Sequence, residues 1–127
     1  MMVVFMYGNI FKNGYEASLS GRSLVECFDY ILDAIRKEVD YSRRYNTVYI
    51  GENFFDLPKE FFIAFIERAI ECSRGDNEIL LIDEIYFDYK KRTKKSSPDI
   101  EEILRKKVGP IIKKSGATLL PIRARQL

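Results

Sequence analysis

Apolar residues recur along this chain in two patterns, one typical of strands and one typical of helices. Four segments are short apolar runs bounded by glycine, charged or turn-forming residues, which is the pattern of buried strands. These runs lie at residues 3–7, 47–50, 79–82 and 117–122. Three longer segments between them carry apolar residues every three or four positions, which predicts amphipathic helices.

Each predicted helix begins at a residue suited to capping. Ser23 and Glu26 have the spacing of a capping box, and a helix is predicted from there to about Tyr41. Asp56 precedes the second helix. The third is predicted to begin at residues 96–98 (Ser-Ser-Pro) and to end near residue 116.

Strands that alternate with helices in this order predict an α/β fold. We expect three layers in the order β-α-β-α-β-α-β, with a mostly parallel sheet of about four strands and helices on its faces. The 127 residues favour a single domain over residues 1–127. Binding sites in such folds lie at the carboxyl ends of strands. The segments expected there are residues 8–22, 51–56 and 83–95.

Composition restricts the location and the chemistry. No apolar run approaches the roughly 20 residues that span a bilayer, and the first residues lack the basic flank of a signal peptide, so we expect a cytoplasmic protein with no membrane partner. Abundant Lys, Arg, Glu and Ile with one glutamine are thermophile-like. The chain has no histidine, which removes the commonest general base and metal ligand and favours a role other than catalysis.

Charged residues after the third predicted strand form two candidate sites. Asp83 and Glu84 offer carboxylate oxygens of the kind that Mg²⁺ prefers, although strands also commonly end in polar residues. The net charge is only +2, but five basic residues lie within six positions and can contact DNA or RNA phosphates or form a solvated loop. This basic cluster consists of Lys90, Lys91, Arg92, Lys94 and Lys95. Tyr86, Phe87 and Tyr89 lie nearby as candidate stacking surfaces.

Taken together, several segments resemble a shortened RecA/RadA-type ATPase core. VVFMYG (residues 3–8) followed by SGRS (residues 20–23) resembles the strand, phosphate loop and helix start of that family. TVYIGE (residues 47–52) resembles its second strand, and ILLID (residues 79–83) resembles the strand that ends in the Walker B aspartate. GATLL (residues 116–120) resembles the element that follows.

The resemblance implies roles for individual residues. Gly21, Arg22 and Ser23 would contact a nucleotide, Glu52 would polarise the attacking water, and Asp83 would hold Mg²⁺. The basic cluster stands where the family contacts single-stranded DNA. However, Arg22 replaces the lysine of GxxxxGK[ST], and Gly8 lies too far upstream of Gly21. The phosphate loop is therefore degenerate, and this weakens the prediction that Glu52 and Asp83 are catalytic residues.

Three functions remain open at this point. The first is a RecA/RadA-like accessory module with little or no ATPase activity that binds nucleic acid through the basic cluster. The second is an α/β protein-interaction module that forms a homodimer or binds a protein partner, with no ligand. The third is a metal-dependent nuclease that uses Asp83, Glu84 and the segment from Asp88 to Lys90.

Overall fold

The computed structural model describes residues 3–6, 8–45, 47–50 and 57–115. In chain order the elements are β1 (Val3–Met6), α1 (Gly8–Leu19), α2 (Leu24–Tyr45), β2 (Thr47–Ile50), α3 (Lys59–Glu71), α4 (Asp76–Thr93) and α5 (Pro98–Ser115). Helices thus account for most of the described chain.

The predicted α/β fold class is wrong, because α-helices dominate where a layered sheet was expected. Within the described ranges, strands occur only as β1 and β2, which pair in parallel with Val3 opposite Thr47 and Met6 opposite Ile50. Two four-residue strands do not make a three-layer sandwich. A RecA-like architecture is therefore also wrong for this chain. The strand predicted at 117–122 lies outside the described residues.

The predicted third strand is instead the first half of α4. Its four apolar residues are part of a longer series of buried residues that forms one face of an 18-residue helix. Members of this series stand three or four positions apart, which matches the helical period. The buried residues of α4 are Ile79, Leu80, Ile82, Asp83, Ile85, Tyr86 and Tyr89. Four consecutive apolar residues fit a buried strand and a buried helix equally well, and here the residues that continue the series decide for the helix.

The segment predicted as a phosphate-binding loop at residues 8–22 is mostly the helix α1. Ile10, Phe11 and Gly14 are buried on its inner face, and Gly14 lies against Ile31 of α2. A Cβ atom built on Gly14 would stand 2.5 Å from Ile31 Cδ1. Glycine therefore serves close helix packing here rather than a flexible loop.

The chain divides into two compact units, Met1–Phe61 and Phe62–Leu127. In the first unit Phe61 contacts two aromatic rings, with centroid distances of 5.1 Å to Tyr15 and 5.2 Å to Phe28. In the second unit Phe62 stacks on Tyr89 with centroids 3.9 Å apart. The prediction of a single domain over residues 1–127 stays a prediction.

The predicted starts of two helices are confirmed. Ser23 caps α2, and Ser97 precedes Pro98 at the start of α5 with its Oγ accepting a hydrogen bond from the Ile100 amide at 3.4 Å. The last helix, α5, continues through Pro110 to Ser115.

Candidate functional site

Gly21 and Arg22 end a helix rather than wrap a phosphate. Gly21 has φ +100°, its amide donates to the Ser18 carbonyl at 3.2 Å, and the Arg22 amide donates to the Ala17 carbonyl at 3.1 Å. This is a Schellman motif, in which a glycine in the left-handed region closes the last turn of a helix. Two amides expected to contact phosphates are thus engaged with carbonyls of α1.

The next residues form one half of the predicted capping box, since Ser23 caps α2 while the Glu26 side chain contacts the Ser23 hydroxyl rather than its backbone amide. The Glu26 amide donates to Ser23 Oγ at 3.2 Å, and the Ser23 hydroxyl donates to Glu26 Oε1 at 3.2 Å. Arg22 Nη1 lies 3.5 Å from Glu26 Oε2, with both side chains exposed. The arginine in the predicted lysine position of the phosphate loop is therefore paired with a carboxylate.

A groove of about 650 Å³ lies beside this turn, within the first unit. Its lining includes one basic residue, Arg22, and three acidic residues, Glu26, Asp29 and Asp33. An acidic lining disfavours an anionic ligand. The geometry thus gives no support to a nucleotide at Gly21, Arg22 and Ser23, and that prediction remains only a prediction.

The two carboxylates predicted to hold Mg²⁺ lie on different sides of α4. Asp83 is buried at 1% exposure, whereas Glu84 is exposed. Successive residues on a helix are separated by about 100°, so the two side chains diverge. No group of three or more acidic or cysteine residues in the described part of the chain could hold a metal. Glu52, the other catalytic candidate, lies outside the described residues.

The basic cluster begins in the last turn of α4 and continues into the turn before α5. Lys90 Nζ lies 3.0 Å from Glu101 Oε1, and Arg92 Nε lies 3.0 Å from Asp88 Oδ1. The exposed side chains of Lys91, Lys94 and Lys95 take part in no ion pair with any described residue. Two of the five predicted nucleic-acid contacts are thus paired with a carboxylate, and the other three form no ion pair within the described residues.

Hydrogen bonds fix the turn that carries these lysines. Tyr86 is fully buried; its hydroxyl accepts from the Ser97 amide at 2.8 Å and donates to Glu101 Oε2 at 2.8 Å. Burial, together with the nearby Glu101 carboxylate, raises the pKa of Tyr86 well above its ordinary value. The tyrosine therefore stays protonated and joins the end of α4 to the start of α5.

Lys94 itself adopts a backbone conformation that is unusual for lysine. Its φ is 62° and its ψ is 17°, and its amide donates to the Lys90 carbonyl at 2.9 Å. This is the αL type of helix ending, for which glycine is the common residue. A lysine that occupies the position carries a backbone cost of roughly 1 kcal/mol.

Two of the three aromatic residues near the cluster are not available for base stacking. Tyr86 and Tyr89 are fully buried, and Tyr89 already stacks on Phe62. Phe87 is half-buried, with Lys90 Nζ 5.6 Å from its ring centroid. The three rings near the lysines thus expose little aromatic surface on which a base could stack.

A second basic surface on α5 was missed in the sequence analysis. We define the four-lysine face by two pairs of exposed lysines that stand seven residues apart, which places each pair two helical turns apart on one side. Its members are Lys106, Lys107, Lys113 and Lys114. The signal was present in the sequence, since no acidic residue follows Glu102.

The two units differ in charge. Residues 1–61 contain seven Lys and Arg against nine Asp and Glu, whereas residues 62–127 contain fourteen against ten. The small positive charge of the whole chain thus conceals a negative unit and a positive unit. An anionic ligand is attracted to the second.

Comparison with known proteins gives no further assignment. Neither a protein-family model, nor a curated protein, nor a solved structure matches this chain. Within the described residues, none of the helices has the length and apolar character needed to cross a membrane. The feature of the described residues that bears on function is the charged surface of the second unit.

Proposed function

We propose that this chain is a nucleic-acid-binding module that contacts phosphate groups through Lys91, Lys94 and Lys95. The observation that carries the proposal is that these three exposed lysines have no ion-pair partner among the described residues. Lys91 lies in the last turn of α4, and Lys94 and Lys95 lie in the turn that follows, which Tyr86 joins to the start of α5. The hydrogen bonds of Tyr86 hold the backbone of this segment, so only the lysine side chains lose conformational freedom when they bind a phosphate. Lysine is a common phosphate ligand that acts as a point charge.

Contacts of this kind position a protein on nucleic acid without reading its sequence. Lysine ammonium groups neutralise phosphates and release counterions, so the affinity depends steeply on salt and little on base composition. The ion pairs of Lys90 and Arg92 hold their charges close to Glu101 and Asp88, so these two residues contribute less. We assign the module no catalytic step.

Fluorescence anisotropy with a labelled duplex of about 14 base pairs tests the proposal across salt concentrations from about 50 to about 200 mM. Each phosphate contact contributes about −0.9 to the slope of log K against log salt. The triple variant Lys91→Gln, Lys94→Gln, Lys95→Gln should therefore bind more weakly, with a slope shallower by about 2.7.

A charge-matched control separates local contacts from net charge. Lys12→Gln, Lys37→Gln, Lys59→Gln removes the same charge from the first unit and should leave the slope unchanged. If wild-type protein binds neither duplex nor single-stranded DNA or RNA at low salt, the proposal fails. Equal losses in the two triple variants would also refute a local site.

Self-association is the second candidate, because large apolar side chains are exposed at the turn between α1 and α2. Leu19 is 69% exposed, Leu24 51% and Val25 50%. Exposed apolar residues close together can mark a protein interface. Sedimentation equilibrium would test this candidate: a dimer weakened by Leu24→Ser would support it, and a monomer at all concentrations would exclude it.

A further inference from the structure

We infer that the four-lysine face of α5 is a second phosphate-binding surface and that the ligand of the two surfaces together is a nucleic-acid duplex. This inference rests on the proposed function and extends it, because it names the class of nucleic acid and a further set of contacting residues.

The lysines of this face project from one side of α5. At about 100° per residue, Lys106 and Lys113 lie within about 20° of each other around the helix, as do Lys107 and Lys114. The two rows together cover an arc of about 120°. Four apolar residues of the same helix, Ile100, Leu104, Val108 and Ile111, are buried, whereas Ile103 is 38% exposed. The helix therefore keeps its apolar side in the second unit and its cations in solvent.

Two of the four charges are free to meet a ligand. Lys107 and Lys113 form no ion pair with any residue in the described ranges. Lys106 lies 3.5 Å from Glu102, which also pairs with Arg105, so two cations share one carboxylate. Lys114 lies 3.7 Å from Asp76, with both side chains largely exposed. Exposed pairs of this kind are weak, but they hold these two charges near carboxylates, so only Lys107 and Lys113 are counted as phosphate contacts.

The spacing of the two surfaces fits a duplex. Along the axis of α5, Lys107 lies about 14 Å and Lys113 about 23 Å from Pro98, where the helix begins after the turn. At about 3.4 Å per base pair, these distances correspond to about four and about seven base pairs. A duplex of about 14 base pairs is therefore long enough to reach from the turn to the far end of the four-lysine face.

Two alternative ligands fit these observations less well. Single-strand binding proteins combine a basic groove with exposed aromatic rings, but Tyr86 and Tyr89 are buried here. Basic helices that lie on membranes insert an apolar face, and most of the apolar face of α5 is buried in the protein. A duplex needs neither feature, because its phosphates alone supply the contacts.

The test compares salt slopes for the same duplex of about 14 base pairs. Five free lysines predict a wild-type slope of about −4.5, which is roughly a 500-fold loss of affinity between about 50 and about 200 mM salt. Lys107→Gln, Lys113→Gln should reduce the slope to about −2.7 and that loss to roughly 40-fold. The control Lys12→Gln, Lys37→Gln should leave both values unchanged, and circular dichroism should show unaltered helicity in each variant.

The outcomes separate this inference from the function on which it rests. If only the substitutions at Lys91, Lys94 and Lys95 change the slope, the four-lysine face is not a contact surface, and the proposed function survives. Equal or tighter binding of a single strand of the same length would overturn the duplex assignment alone. Tighter binding to vesicles that contain anionic lipid would overturn it in favour of a membrane surface. Absence of any nucleic-acid binding would refute both proposals.

Discussion

Gly14 provides the sharpest test of how α1 packs against α2. A Cβ atom at this position would stand 2.5 Å from both Cδ1 and Cγ1 of Ile31, and 3.5 Å from the Cys27 carbonyl oxygen. Ordinary carbon contacts begin near 3.5 Å, so Gly14→Ala must displace the Ile31 side chain by about 1 Å. Ile31 is fully buried and has little room to move.

The magnitude follows from two opposing contributions to the free energy of unfolding. Overpacking a core typically costs about 1–3 kcal/mol, whereas replacing glycine with alanine in a helix stabilises it by about 1 kcal/mol. We therefore expect Gly14→Ala to destabilise the protein by about 1 kcal/mol. In an Ile31→Ala background the crowding is absent, and the same substitution should stabilise by about 1 kcal/mol.

Urea denaturation of the four proteins in this double-mutant cycle measures the coupling between the two positions. The expected coupling is about 2 kcal/mol, and a change in the m-value would show that the unfolding is no longer comparable. If Gly14→Ala stabilises by the same amount in both backgrounds, then Gly14 does not lie against Ile31. The reasoning for α1 as a packed helix would then be wrong.

Two other substitutions test the turn between α4 and α5. Lys94→Gly should stabilise the protein by about 0.5–1 kcal/mol, because glycine adopts the positive φ without strain. The same substitution should weaken duplex binding, because it removes a cation. A melting temperature below that of the wild type would contradict this prediction. Tyr86→Phe should cost about 1–2 kcal/mol near neutral pH, because the Ser97 amide loses its acceptor. Burial, together with Glu101, raises the pKa of Tyr86, so the folded protein retains a proton that the unfolded chain loses above about pH 10. The free energy of unfolding should therefore fall by up to about 1.4 kcal/mol per pH unit above that point in wild type, and less steeply in Tyr86→Phe; parallel curves would refute the assignment.

Local signals at the helix starts were sufficient to predict several elements. The capping box of Ser23 and Glu26 depends on residues three positions apart, and Ser97 with Pro98 likewise specifies a start within two residues. The buried aromatic and aliphatic face of α3 was also predicted from its spacing. Such features need no knowledge of the rest of the fold.

The errors arose where a local pattern had two interpretations. The run at residues 79–82 fits a strand until Ile85, Tyr86 and Tyr89 are counted with it as one buried helical face. Residues 8–22 were interpreted as a loop, whereas Gly14 packs against α2 and Gly21 ends α1. The role of Gly14 depends on which helix approaches it, and the local sequence does not show this. Gly21 ends α1 through local hydrogen bonds, so its role became clear only once α1 was known to be a helix.

The basic cluster was predicted from the local run of basic residues. Which of these residues form ion pairs could not be predicted from that run. Glu101 lies eleven residues from Lys90, and only the antiparallel approach of α5 brings the two together. The lysines at i and i+7 on α5 were visible in the sequence. That they lie on one side of a helix became clear once residues 98–115 were known to form a single helix.

The most direct test of the central claim is an NMR titration of ¹⁵N-labelled protein with a duplex of about 14 base pairs, at low salt. The account predicts that amide shifts concentrate at residues 90–95 and 105–114, and that they are small throughout α1 and α2. Shifts confined to the turn at residues 20–23 and the groove beside it would contradict the account. That outcome would place the binding site in the first unit instead.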